Sequence, residues 1–459
     1  MVSFRVSLAL GVALLMLAAS GAVASADEGD ISILSEEVTS QFPDGISFDI
    51  SLESSSPIDE IRVFYRSEST ATTSYGYLEF EPGLTSEGHF FLDTSVGGEG
   101  GNTTFVPPGA VFRYSYEVTD ETGNVLRTEE KEFVYTDPRF EWMTISEGPL
   151  TVYHYGPTEK RAETILQSAL EAVTNMSRVL GMGEMEPINI VAYNNYRHMV
   201  TALPPRAQAV REELITQGQA FTNIRVLLVL AFDEDIQGIT SHELTHILVD
   251  NAAGRAYALI PAWLNEGLAE FGNVSPNESY DNALLYGIYT RRLKPLWHLK
   301  TFSGDPDDVI IAYGQSRSVV SYLINTYSEE RMAQFMAAMD QTLSVDDAMM
   351  RVYGFDQRGL DSEWRSRIGL RPFEDVADVD GESFPTATPS PTPAIESTPE
   401  AQPTRTPMPR EDEGERSTSP GCNRGSGSSA SIPLDPFFLL LLAGPLGLFP
   451  LRRLRRPRV

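Results

Sequence analysis

The chain reads as a multidomain protein, with a small all-β unit, then a larger α+β unit, then a tail that does not fold. Three observations carry that reading. Period-two alternation of apolar and polar residues recurs in short runs up to about Tyr135. After Asp137-Pro138 the apolar residues fall instead at helical spacing, with a few strand-like runs between. From Ser383 the composition turns to Pro, Thr, Ser, Gly and Glu, until an apolar run and a cluster of arginines close the chain. A length of 459 residues also exceeds what one compact domain usually holds.

Residues 1–26 have the pattern of a secretory signal. Arg5 is the basic start, residues 6–19 are apolar, and Ala24-Ser25-Ala26 fits the small-x-small cleavage rule. Residues 27–139 are expected to form the β unit. Ile46-Ser47-Phe48-Asp49-Ile50-Ser51-Leu52 and Phe112-Arg113-Tyr114-Ser115-Tyr116-Glu117-Val118 both alternate, and Gly123-Asn124 is a hairpin signal. Short strands broken by Ser, Gly and Pro clusters suggest an immunoglobulin-like sandwich.

Residues 140–375 are expected to form the α+β domain. The spacing predicts a strand at 151–155 and a helix at 158–180, with Ile165, Leu166, Ala169, Val173, Met176 and Leu180 on one face and Gly181 ending it. Strands are expected at 187–193 and 224–232, the second being an apolar run expected to line a cleft and pair with an extended ligand backbone. Residues 316–368 read as three helical pieces, the middle one capped by Ser344-x-x-Asp347 and stopped at Gly354.

Residues 376–431 are expected to be a disordered stalk, because so few large apolar side chains cannot bury enough surface to fold. Its 49 residues from Ser383 onward would reach about 40 Å as a random chain. Residues 432–451 are expected to be a transmembrane segment. The basic residues 452–459 would then lie in the cytoplasm and the folded domains outside. Cys422 stands just ahead of that apolar run, an arrangement similar to three-part C-terminal sorting signals, so processing near Cys422 is a further expectation.

Charge narrows the partners. The chain carries a formal −29, and setting aside Arg5 and the five arginines of the last eight residues leaves −35 between them. So acidic a surface repels nucleic acid, and no nucleic-acid partner is expected. Cys422 is the only cysteine, which excludes an internal disulfide and a cysteine-based metal site. The sequence does not speak to oligomeric state.

The chemistry is concentrated in His242-Glu243-Leu244-Thr245-His246. Residues four apart on a helix lie about 6 Å apart along its axis and nearly one above the other, so two imidazoles can converge on one metal. Catalytic zinc takes three protein ligands and keeps one position open, and His-His-Glu is a known set. Glu266, in Trp263-Leu264-Asn265-Glu266-Gly267-Leu268-Ala269-Glu270-Phe271, supplies a third ligand, and Glu243 is left free as general base. Glu270 lies one turn after Glu266 on the same face, and by spacing alone the two could exchange roles. His89, His154, His198 and His298 show no ligand spacing and are expected to be structural, while Asp250 fits a helix end.

The segment 242–271 resembles the gluzincin metallopeptidases, and Trp263-Leu264-Asn265-Glu266-Gly267-Leu268-Ala269 is similar to the matching part of the aminopeptidase N family. Ala312-Tyr313-Gly314-Gln315-Ser316 resembles bacterial peptidase MA-like domains. The resemblance covers roughly residues 140–370 and implies one zinc ion on His242, His246 and Glu266. It makes Glu243 the base and leaves Glu270 as an acceptor for a ligand histidine's N–H. By position in the same pattern, Tyr313 would be the oxyanion donor, with Tyr286 and Tyr289 as lesser candidates and a packing role as the alternative. The spacing from His246 to Glu266 is one residue longer than in the aminopeptidases, and their Gly-x-Met-Glu-Asn element is missing. The resemblance thus implies a peptidase acting on peptides or proteins, an endopeptidase rather than an aminopeptidase, and the two ends of the sequence add the expectation that it is extracytoplasmic and membrane-tethered. Two other readings are an idle peptidase-like surface adhesion protein and a zinc amidase acting on cell-wall peptides.

Overall fold

The computed structural model describes residues 31–68, 72–95, 105–204, 217–276, 278–302 and 305–373. The expected signal peptide, stalk, membrane segment, basic tail and Cys422 lie outside the described residues. Among the described residues no helix is long and apolar enough to cross a membrane.

The N-terminal region is β-rich. Its strands are β1 (Ser32–Gln41), β2 (Gly45–Glu53), β3 (Ile58–Ser67), β4 (Ser74–Tyr77), β5 (Thr85–Asp93), β6 (Val111–Asp120), β7 (Val125–Arg127) and β8 (Lys131–Val134). They form two antiparallel sheets. One has the order β1-β2-β5, and the other is β4-β3-β6 with β7 and β8 both paired to β6. Alternation aims Phe48, Ile50 and Leu52 of β2 and Ile61, Val63, Tyr114, Tyr116 and Val118 of the other sheet into one core. The Phe48 and Tyr114 rings meet edge to face there, 5.5 Å between centroids.

A third sheet follows. It comprises β9 (Trp142–Glu147), β10 (Leu150–Tyr155), β11 (Ile188–Tyr193), β12 (Gly218–Phe221) and β13 (Val226–Leu230), in the order β12-β13-β11-β10-β9. The three central strands are parallel and the two edges antiparallel. Every residue of β11 is buried, as a central strand covered on both faces requires. Ile190, Leu227 and Val229 face the helices, whereas Val191, Tyr193, Val226 and Leu228 join the core of the N-terminal sheets. The salt bridge of Arg225 to Glu68, at 2.8 Å, and the Asn189 Nδ2 bond to the Gly109 carbonyl, also 2.8 Å, tie the two regions together.

The helices are α1 (Glu159–Leu180), α2 (Tyr196–Met199), α3 (Ile236–Ala253), α4 (Ala262–Gly272), α5 (Ser279–Thr290), α6 (Pro306–Tyr327), α7 (Glu329–Thr342), α8 (Val345–Val352) and α9 (Gln357–Arg367). Helix α1 matches its sequence signals, with Thr158 before it and Gly181 at φ 69° closing it. Helix α3 is buried on nearly all sides by α1, α4, β12 and β13, so it is the central helix of the domain.

Two sequence expectations are corrected here. The apolar run 224–232 cannot pair with a ligand backbone, because β13 is bonded to β11 on one side and β12 on the other. The edge strand is β12, which is too short and too mixed in composition to show period-two alternation. The C-terminal helices number four rather than three, and α6 begins at Pro306 behind the capping side chain of Asp305. Tyr313 is therefore inside a helix and not at its start.

Candidate active site

Helix α3 places His242 and His246 one turn apart with ring centroids 5.0 Å from each other. Helix α4 starts after Pro261 and brings Asn265, Glu266 and Glu270 against them, all buried. Glu266 Oε2 stands 3.5 Å from His242 Nε2 and 3.6 Å from His246 Nε2. One ligand atom from each of His242, His246 and Glu266 lies within 4.8 Å of the others. A tetrahedral ion bound at about 2.0–2.1 Å holds its ligand atoms about 3.3 Å apart, so the group fits a metal ion with little movement.

The unsatisfied atoms make the same point. His242 Nε2, His246 Nε2 and Glu266 Oε2 are all buried without a hydrogen-bond partner among protein atoms. Leaving three such polar atoms together in a core is costly unless a further group satisfies them. His246, Glu266 and His242 are what a cation would satisfy.

The outer nitrogens of both histidines are held by the neighbouring helix. Asn265 Oδ1 lies 3.1 Å from His246 Nδ1, and an amide oxygen can only accept, so Nδ1 carries the proton and Nε2 is free to ligate. Glu270 Oε1 lies 2.7 Å from His242 Nδ1, a close ion-pair contact set off the N–H axis. Burial works against a charged His242, but Glu270 and Glu266 outweigh it and hold its pKa well above the ordinary value. The sequence resemblance gave Glu270 as an acceptor for a ligand histidine's N–H, and the structure places its carboxylate against His242 Nδ1. Asn265 was not anticipated, although it stands in the same motif. Glu270→Gln is expected to weaken metal affinity by about 10- to 100-fold with the fold unchanged. Competition against a chromophoric chelator measures this, and an unaltered affinity would reduce Glu270 to a packing residue.

Glu243, next to His242 on α3, reaches to the edge strand β12. Its Oε2 accepts the Ala220 N–H of β12 at 3.0 Å, and its Oε1 is buried without a partner. Burial is the main cause of its raised pKa, partly offset by His246 and His242. The contact needs Gly218, since a Cβ there would come within 2.7 Å of Glu243 Cγ and 2.8 Å of Ile239. The edge strand and the free carboxylate oxygen thus border the same space.

Tyr313 is buried beside the group, its ring centroid 6.5 Å from that of His242. Burial, with Glu266 next in effect, keeps its pKa well above the ordinary value, so the phenol stays protonated. Tyr280, which sequence reasoning missed, stacks on it at 5.4 Å. Tyr286 and Tyr289 are exposed, at 49% and 88%, and do not join the group. The remaining histidines are elsewhere: His89 pairs with Asp49, His154 with Thr158, His198 with Tyr155, and His298 packs on Trp297. The carbonyl of Asp250 accepts the N–H that caps α3.

An α+β domain with a buried His-His-Glu group and an adjoining carboxylate is the framework of a metal-dependent hydrolase. Residues 168–369 match the family model of the Peptidase MA superfamily. Among solved structures, a two-domain M1 zinc metallopeptidase variant bound to L-tryptophan is similar, with 14% identity, 70% of this chain and 90% of that chain covered, and a TM-score of 0.30. An M1 zinc metallopeptidase from Deinococcus radiodurans is similar at 12% identity, with 72% and 90% covered and a TM-score of 0.28. No curated protein matches the chain.

Proposed function

We propose that the protein is a zinc-dependent peptidase that hydrolyses internal peptide bonds. The observation that carries this is the convergence of His242, His246 and Glu266, with Glu243 beside His242 on the same helix and one of its carboxylate oxygens free. Zinc, when bound there, lowers the pKa of a water molecule and polarises the scissile carbonyl. Glu243 accepts the proton of that water and passes it to the leaving amine. Tyr313, protonated at any ordinary pH, donates to the oxyanion. Beyond β13, β12 pairs with no other strand among the described residues, and this outer edge lies next to Glu243, which suits protein or peptide substrates. The strand reads Gly218-Gln219-Ala220-Phe221 and carries no carboxylate to hold a substrate's free amine, which favours endopeptidase over aminopeptidase action. The signal-like start and the apolar, arginine-flanked end support an extracytoplasmic, membrane-tethered enzyme.

The test is metal analysis of the purified protein together with hydrolysis of a mixed library of quenched fluorescent peptides. One zinc per chain and cleavage at internal bonds are expected. A chain that binds zinc but cleaves no peptide and no cell-wall peptide would instead be the idle surface protein, and cleavage of cell-wall peptides alone would make it an amidase. Tyr313→Phe is expected to lower kcat by about 10²-fold while KM and zinc content hold. An unchanged kcat would leave Tyr313 a packing residue.

A further inference from the structure

We propose that Tyr280 is a positioning residue, whose ring sets the orientation of the Tyr313 phenol at the metal-binding group. The inference rests on the peptidase reading for its kinetic consequence, but the ring packing stands without it. Three rings define the place of Tyr313. Tyr280 stacks on it with an interplanar angle of 25°, Phe302 meets it edge-on at 5.0 Å and 79°, and His242 lies at 6.5 Å. An offset stack and an edge contact are the two preferred aromatic arrangements, and together they leave the ring little freedom about χ1 and χ2.

The stack is held by the backbone. Tyr280 is the second residue of α5, and its carbonyl oxygen lies so close to α6 that any Cβ on Gly314 would overlap it. One turn further along α6, Arg317 pairs with Asp281 at 3.3 Å. The start of α5 is thereby fixed to the stretch of α6 that carries Tyr313, which holds the Cα of Tyr280 where its ring can stack on Tyr313.

The experiment uses the full chain loaded with zinc and compares Tyr280→Phe, which keeps the stack, with Tyr280→Ala, which removes it, each with and without Tyr313→Phe. Tyr280→Phe is expected to stay within about twofold of wild type. Tyr280→Ala is expected to lower kcat about tenfold, with KM and zinc content unchanged, and to add nothing in the Tyr313→Phe background. A second readout does not depend on activity. With 13C-labelled tyrosine, the Tyr313 ring resonances, assigned from their loss in Tyr313→Phe, should shift and broaden in Tyr280→Ala but not in Tyr280→Phe. Unmoved resonances in Tyr280→Ala overturn the proposal. So do additive kinetic effects, or a Tyr280→Phe protein as slow as Tyr280→Ala, which would assign the role to the hydroxyl. A wild-type protein without peptidase activity would defeat the functional reading alone, and the resonances would still decide the packing.

Discussion

Glu243→Gln is expected to remove peptide hydrolysis while the metal stays bound. Glutamine keeps the shape of the side chain, and its amide oxygen can still accept the Ala220 N–H that Glu243 Oε2 takes at 3.0 Å. What it loses is basicity at the other oxygen, the one buried without a partner. An amide NH₂ there cannot take a proton, so the general-base step fails although strand, helix and ligands are undisturbed. General acid–base catalysis by one positioned group is worth about 10²–10⁴-fold, and kcat should fall by that much. Glu243 is none of the three ligands, so zinc content should match wild type, and the paired measurement separates base from ligand. Hydrolysis by Glu243→Gln at the wild-type rate would mean that the proton goes elsewhere.

Most of this site could be read from sequence because its geometry is local. His242, Glu243 and His246 lie within five consecutive residues, and a helix converts that spacing into direction without tertiary information. The C-terminal end of α1 was legible for a similar reason, since Gly181, at φ 69°, acts on its own turn. Glu266 against Glu270 is different. Both sit on one face of α4, and only the packing of α4 on α3 turns Glu266 toward the Nε2 atoms and Glu270 toward His242 Nδ1. Asn265 stayed hidden because an asparagine in a helix has many uses, and its partner is His246 across the helix pair.

The edge strand and Tyr280 were illegible for physical reasons. Gly218-Gln219-Ala220-Phe221 has no alternation, and it is a strand because β13 pairs with it and Glu243 takes one of its N–H groups. The run at 226–230 looked like the better ligand-binding strand because it is more apolar. Continuous apolarity, however, marks a strand covered on both faces, and such a strand is central, with both of its edges already bonded. Tyr280 reaches Tyr313 from a separate helix, and the signal that could have pointed to it is Gly314, beside the tyrosine in the very pentapeptide that carries the resemblance.

Removing a ligand should have the other large effect, on metal binding and, through it, on stability. In His246→Ala, or in Glu266→Ala, two of the three buried ligand atoms remain unsatisfied and the metal loses a bond it cannot replace from this core. Zinc that binds the folded chain but not the unfolded one stabilises it by about 2.7 kcal/mol at 100 times its Kd. For a folded unit of 150–250 residues that raises Tm by about 5–10 °C. Wild-type protein, stripped with a chelator and then titrated with zinc, should show such a rise, whereas His246→Ala and Glu266→Ala should melt at one temperature with or without zinc. Glu243→Gln should respond as wild type does, because Glu243 is none of the three ligands. Glu270→Gln should respond only at higher zinc concentration, its weakened hold on His242 appearing as a displaced titration. A zinc-dependent rise of full size in Glu266→Ala would exclude Glu266 as the third ligand and return that role to Glu270, one turn away.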